Sequence, residues 1–187
     1  MSIQTLDKLL ICHIDCSIWS GRKKLRPEDF RLANGSQLPP KDVASLGSKK
    51  ICDPEALANF ERLKKEAQRL CEQVGVRFLG GYAVPEDRID QIVPELDRIG
   101  QEFAQCKQLF LDNYDQVTFD WVAKHPEFAD AIRRALSPIE DVEQRLQFDY
   151  AIYRMQPAEQ AGGLDDKVNG MGYTLFREVA RDANELF

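Results

Sequence analysis

From Leu10 to Trp19 apolar and polar residues alternate one by one, with Leu10, Cys12, Ile14, Cys16 and Ile18 on one side and His13, Asp15, Ser17 and Trp19 on the other. A period of two is the mark of a half-buried strand, and Ser20-Gly21 closes it. Residues 148–155, rich in Tyr, Phe and Ile, carry a second strand signal. Because isolated strands are not stable in water, the two are expected to pair, antiparallel, as a small sheet.

Between them the spacing becomes helical. Asp53 is placed to cap a helix, Pro54 suits its first position and Glu55 complements its dipole. Leu57, Phe60, Leu63, Ala67, Leu70, Cys71 and Val74 then form one apolar stripe, and Gly75 supplies the stop. Val76–Val84, with Gly80-Gly81 inside it, reads as a short connector or an irregular strand. A longer helix starts near Pro85, and its seam of Ile89, Ile92, Leu96, Ile99, Phe103, Cys106 and Phe110 steps by three and four as a coiled coil does. Pro94 predicts a kink or a restart, and the polar Asn113 and Asp120 end the seam. Short helices are expected after Pro126 and at Ser137-Pro138-Ile139-Glu140, which has the form of a capping box.

These elements predict an α+β fold, predominantly α. A long, coiled-coil-like αα-hairpin over about 53–124 projects from a small antiparallel sheet that pairs the N-terminal strand with the strand near 148–155. Residues 1–156 form the single domain, 157–166 a linker containing Gly162-Gly163, and 167–187 a C-terminal helix. The segment from Gly21 to about Lys50, with Pro27, Asn34-Gly35, Pro39-Pro40 and Gly47, reads as an irregular loop with at most a short helical turn.

A length of 187 residues fits one domain with a buried core. No stretch approaches the roughly 18 apolar residues of a membrane span, so no membrane partner is expected. Leu9–Cys12, hemmed by Asp7, Lys8, His13 and Asp15, is too short and too charged for a signal peptide. Five irregularly spaced cysteines suit reduced thiols in a cytoplasm. The net charge of −6 is unevenly spread: Gly21–Lys50 holds eight cations against three anions, about +5, leaving about −11 elsewhere. That balance argues against nucleic acid as the main partner and leaves a secondary nucleic-acid contact open through segment 21–50.

Candidate chemistry is sparse. Cys12 and Cys16 on one strand would lie about 13 Å apart, too far for one zinc ion or a disulfide. Only His13 and His125 exist, neither in a metal or nucleophile motif. Gly47-Ser48-Lys49-Lys50 is not a phosphate loop, and Gly80-Gly81 has no third glycine in dinucleotide spacing. No catalytic residue, metal or cofactor is therefore expected. The basic run is the better candidate: Arg22, Lys23, Lys24 and Arg26, with Lys49 and Lys50 at the far end of the loop and Trp19 beside them as an aromatic anchor. Phe78 and Tyr82, near the expected hairpin tip, complete the protein-binding residues.

Four separated blocks carry a resemblance: Leu6-Asp7-Lys8-Leu9-Leu10; Ser17-Ile18-Trp19-Ser20-Gly21-Arg22-Lys23-Lys24-Leu25; Leu46-Gly47-Ser48-Lys49-Lys50-Ile51-Cys52-Asp53-Pro54; and Val76-Arg77-Phe78-Leu79-Gly80-Gly81-Tyr82-Ala83-Val84-Pro85. To about Met155 the chain resembles a bacterial family of unknown function carried on plasmids and integrative conjugative elements. Members of that family are often encoded near a MoxR- or CobS-like AAA+ ATPase and a von Willebrand factor A-domain protein. The resemblance implies no catalytic residues, and it implies longer relatives, with this chain a shortened member or a fragment. Function is accordingly expected to be protein binding without catalysis, as adaptor to an AAA+ ATPase module of a mobile element. The alternatives are an anti-defence, anti-CRISPR-type inhibitor docking on a host protein or ribonucleoprotein complex, and a thiol- or metal-dependent hydrolase.

Overall fold

The structure, a computed structural model, describes residues 8–29 and 47–155, with isolated positions at 163, 166–167 and 170. The expected linker 157–166 and C-terminal helix 167–187 lie, those positions apart, outside the described residues. In chain order the elements are β1 (Leu9–Ser17), β2 (Arg22–Lys24), β3 (Ser48–Lys50), α1 (Ala58–Val74), β4 (Val76–Phe78), β5 (Gly81–Pro85), α2 (Ile89–Asp112), α3 (Tyr114–Lys124), α4 (Ala129–Arg133), α5 (Ile139–Gln144) and β6 (Gln147–Tyr153). The chain divides into two compact units: Met1–Cys16, Leu63–Glu102 and Phe148–Phe187 in the first, and Ser17–Arg62 with Phe103–Gln147 in the second.

A four-stranded antiparallel sheet, ordered β4-β5-β1-β6, organises the first unit. This corrects the expected two-stranded sheet. β6 does lie beside β1, but the other edge of β1 is taken by β5, with Leu9 opposite Pro85 and Cys12 opposite Tyr82. Residues 76–85 are thus a β-hairpin, too short and too interrupted by glycine to show a period in the sequence. The sheet is covered on both sides. Ile11, Phe78 and Ala83 pack with Leu9, Val76 and Met155, whereas Cys12 meets Cys71 of α1, their sulfurs 3.6 Å apart. Ile92, Leu96 and Ile99 of α2 are fully buried. The Tyr150 hydroxyl donates to Asp97 at 2.6 Å, tying β6 to α2, and burial, then that bond, push the phenol up to about 12.

The long coiled-coil hairpin expected over 53–124 is not there. α1 and α2 are joined through β4 and β5, which belong to the sheet rather than to a projecting helical tip. A stripe with steps of three and four marks any buried helix face, and over three heptads it does not distinguish a partner helix from a mixed core. α2 also runs without restart through Pro94, its sixth residue, which costs the helix one backbone hydrogen bond that the turns on either side outweigh. It stops at Asp112, where the Asn113 side chain donates to Leu109 O at 2.8 Å, and α3 begins afresh.

The second unit is built around aromatic rings. Trp19 is only 2% exposed and lies 5.8 Å from Tyr114 and 6.2 Å from Phe110, centroid to centroid. Phe60 bridges Phe103 and Phe110 in edge-on contacts at 5.0 and 6.0 Å, a geometry that adds to plain burial. The Tyr114 hydroxyl donates to Ser137 O at 2.8 Å, and burial, with the Cys52 thiol next, pushes the phenol up to about 12. Ile51, Cys52, Val142 and Leu146 close the core.

Candidate functional site

The basic segment is not an irregular loop where it is described. β2 and β3 pair antiparallel as a ribbon, with Arg22 opposite Lys50, Lys23 opposite Lys49 and Lys24 opposite Ser48. Such residues carry no alternating signal and have little β-propensity, so the pairing is made by what surrounds it. Ile51 N–H donates to Gly21 O at 2.8 Å and Leu25 N–H to Gly47 O at 3.1 Å, extending the ladder at both ends. Trp121 Nε1 donates to Lys50 O at 3.2 Å, and Lys124 pairs with Asp53 at 3.0 Å, so α3 holds the strand that follows.

Beside the ribbon is a cleft of about 550 Å³ lined by Lys23, Lys24, Arg26, Asp29, Lys49 and residues 134–136. It brings together four of the residues singled out in the sequence, and adds Arg134, which nothing local had marked. Arg134 arrives from the end of α4, far along the chain. Asp29 is the buttress. Its side chain, 3% exposed, meets Lys49 Nζ at 2.5 Å and accepts the Arg26 N–H at 2.8 Å. Burial works to raise the Asp29 carboxyl, but the bonds from Lys49 and Arg26 and the charges of Lys49 and Arg134 outweigh it and hold the group below its ordinary value.

A carboxyl depressed in the folded state stabilises above its unfolded pKa, about 3.9, and that stability is lost as pH falls through the lower folded value. Asp29→Asn is therefore expected to be less stable than the wild type at neutral pH, with the gap closing in acid. Thermal midpoints from pH 7 to pH 2 check it; a gap constant over that range would mean that Asp29 is not ionised in this pair.

The other sequence candidates lie elsewhere. Arg22 and Lys50 are exposed on the ribbon. Trp19, Phe78 and Tyr82 are buried and contribute to packing; Tyr82 also carries the Arg77 guanidinium 5.9 Å from its ring centre. What the surface presents near them is Leu79, 54% exposed, in the turn between β4 and β5. Both residues of that turn have positive φ, Leu79 at 45° and Gly80 at 83°. This is the type I′ pattern, for which Asn-Gly is preferred and a branched apolar residue at the first position is costly. A cleft of about 310 Å³ adjoins the turn, lined in part by Ile14, Gln68, Arg77 and Tyr82.

Cysteine chemistry is quiet. Cys12 and Cys71 are both fully buried, and the Cys71 thiol is pushed up by donating to Cys12 and by burial. Burial, then the Asp53 charge, push Cys52 to about 11. Accepting from Cys71 outweighs burial at Cys12 and holds that thiol below its ordinary value, whereas Cys71 and Cys52, held protonated in apolar surroundings, are poor nucleophiles. The contact between Cys12 and Cys71 was invisible in the sequence, where 59 positions separate them. Among the described residues no three of His, Cys, Asp and Glu gather as metal ligands, and no helix is long and apolar enough to cross a membrane.

Fold and surfaces define an α+β protein that offers a cationic ribbon with its cleft, and an exposed leucine on a tight turn. The chain belongs to the DUF3150 family, proteins of unknown function, whose profile matches residues 6–187. No match is found among curated proteins or among solved structures.

Proposed function

We propose that this is a non-catalytic protein-binding protein, and that the β4–β5 turn is its docking point. The observation that carries the reading is Leu79: a large apolar side chain, more than half exposed, at a backbone position that penalises it. A leucine there costs about 1–2 kcal/mol relative to a residue at ease in the left-handed region, and strain kept at an exposed turn points to use rather than to folding. The adjoining cleft, with Arg77 at its rim, supplies the polar edge that a docking surface needs.

The partner we assign is an AAA+ ATPase module, with the chain as its adaptor; the family resemblance of the four sequence blocks supports this choice. Tagged wild-type and Leu79→Asn proteins are compared by pull-down from the native host in moderate salt with mass spectrometry. The wild type is expected to retain the ATPase and Leu79→Asn to lose at least tenfold of it, while the variant unfolds about 1 kcal/mol less readily. Equal retention by both proteins would refute the turn as the docking point. Retention of a host defence complex in place of the ATPase would make the chain an inhibitor, and a wild type that retains nothing would end the stable-binder reading.

A further inference from the structure

The β2–β3 ribbon puts cations where strand pairing would avoid them. Five of its six residues are Lys or Arg, and its register sets Arg22 against Lys50 and Lys23 against Lys49. Like charges directly opposite weaken a strand pair, and a two-stranded ribbon is marginal to begin with. The whole chain carries a net charge of −6, so the ribbon is a local inversion of sign. Asp29 engages Lys49, but among the described residues no carboxylate forms an ion pair with Arg22, Lys23, Lys24, Lys50 or Arg134. Anions from outside would relieve the repulsion.

We propose that the ribbon and the cleft beside it bind the sugar–phosphate backbone of duplex DNA, independently of sequence. One phosphate strand lies in the cleft, met by Lys23, Lys24 and Arg134, while Lys49 stays paired with Asp29. Arg22 and Lys50, exposed on the ribbon, reach further phosphates beyond it.

The distribution of charge favours a nucleic acid over an acidic protein face, because cations occupy both faces of the ribbon and a flat partner would meet only one. Among the described residues the cleft lining contains no aromatic ring, and unpaired bases need rings to stack on, which favours a duplex over a single strand. The B-form major groove, about 12 Å wide, admits a two-stranded ribbon, whereas the A-form RNA major groove is too narrow. Ser48 is the only uncharged residue in the two strands. Phosphate contacts therefore dominate, and these position a protein without reading bases.

The test is fluorescence anisotropy of a labelled 20-base-pair duplex of mixed sequence with the full chain, at salt from 50 to 200 mM. Five phosphate contacts predict a log–log slope of about −4 to −5, or a loss of roughly 10²–10³-fold in affinity over that range. Arg22→Gln combined with Lys24→Gln is expected to lower the slope by about 2 and to weaken binding at 50 mM salt at least tenfold. Both side chains are exposed, so the thermal midpoint should not move; if it does, Lys50→Gln and Arg134→Gln provide the same comparison. No binding at 50 mM salt overturns the proposal, and so does a slope unchanged in the variants. Tighter binding of single-stranded DNA or duplex RNA also overturns it. Competition by polyglutamate, at equal charge, as effective as that of unlabelled duplex would make the surface an acidic-protein site instead. None of these outcomes bears on the Leu79 turn, so the two readings fail separately.

Discussion

Trp19→Ala is expected to destabilise the protein by about 3–5 kcal/mol, the cost of removing a large aromatic from a closed core. The indole is 2% exposed and is flanked by Phe110 and Tyr114 at 6.2 and 5.8 Å. Its removal leaves a cavity and deprives Tyr114 of an edge-on neighbour and Phe110 of a tilted one. Tyr114 has a second duty, its hydroxyl bond to Ser137 O, so loosening the ring also threatens a buried hydrogen bond. Urea unfolding followed by circular dichroism measures the effect as a lowered midpoint with little change in slope. The sequence pointed to a different role for Trp19, an exposed anchor beside the basic run, and an exposed anchor would leave stability within about 0.5 kcal/mol. A loss below 1 kcal/mol would therefore show that the indole is not part of this core.

Gly75→Ala is expected to cost about 3 kcal/mol, toward the upper end of what overpacking does. A Cβ on Gly75 would stand 2.6 Å from Ala83 O and 2.8 Å from Val84 Cγ2. The obstruction is largely backbone, of a strand paired on both edges, so it cannot be relieved by a rotamer change. The informative comparison is Gly80→Ala. That position has open space around it but φ of +83°, so only the left-handed conformation is penalised, at about 1–2 kcal/mol. Thermal or urea midpoints of the two variants should thus differ clearly, with Gly75→Ala the worse. A reversed order would mean that the end of α1 does not approach β5 as closely as the structure shows.

Gly75 also shows how a local signal can be right for another reason. A glycine after an apolar stripe reads as a helix stop, and α1 does end at Val74. Yet Gly75 is not among the residues with positive φ; the position excludes side chains because a strand lies against it. Asp53, by contrast, works as the sequence reads it, accepting the Glu55 N–H at 3.1 Å at the start of the turn leading into α1. Ser137-Pro138 does not: Pro138 stands at the N-cap of α5, which begins without a side-chain cap.

Of the candidate sites, the basic residues were legible as a cluster of charge, because composition is local. Their arrangement was not. Lys23 and Lys49 face one another only because Gly21, Gly47 and Trp121 fasten the two strands, and Arg134 joins them from the end of α4. At the β4–β5 turn the sequence draws attention to the aromatic Phe78 and Tyr82, which are buried, and the exposed residue is Leu79 between them. The signal that could have found it is Leu-Gly at the centre of a hairpin where Asn-Gly is the rule.

Periodicity and end signals were enough to establish where β1 and β6 run, that α1 and α2 each bury one stripe, and that positive charge gathers around segment 21–50. These follow from the sequence alone because each depends on residues a few positions apart, whose burial or charge a single element expresses. Folding in three dimensions decided the rest: which strands lie beside β1, that the helices flank a sheet rather than pair as a projecting coil, that Trp19 is interior, and that Cys12 touches Cys71. An apolar stripe records that a face is covered and not by what; the covering residues come from distant parts of the chain, and only their packing chooses among partners of equal hydrophobicity.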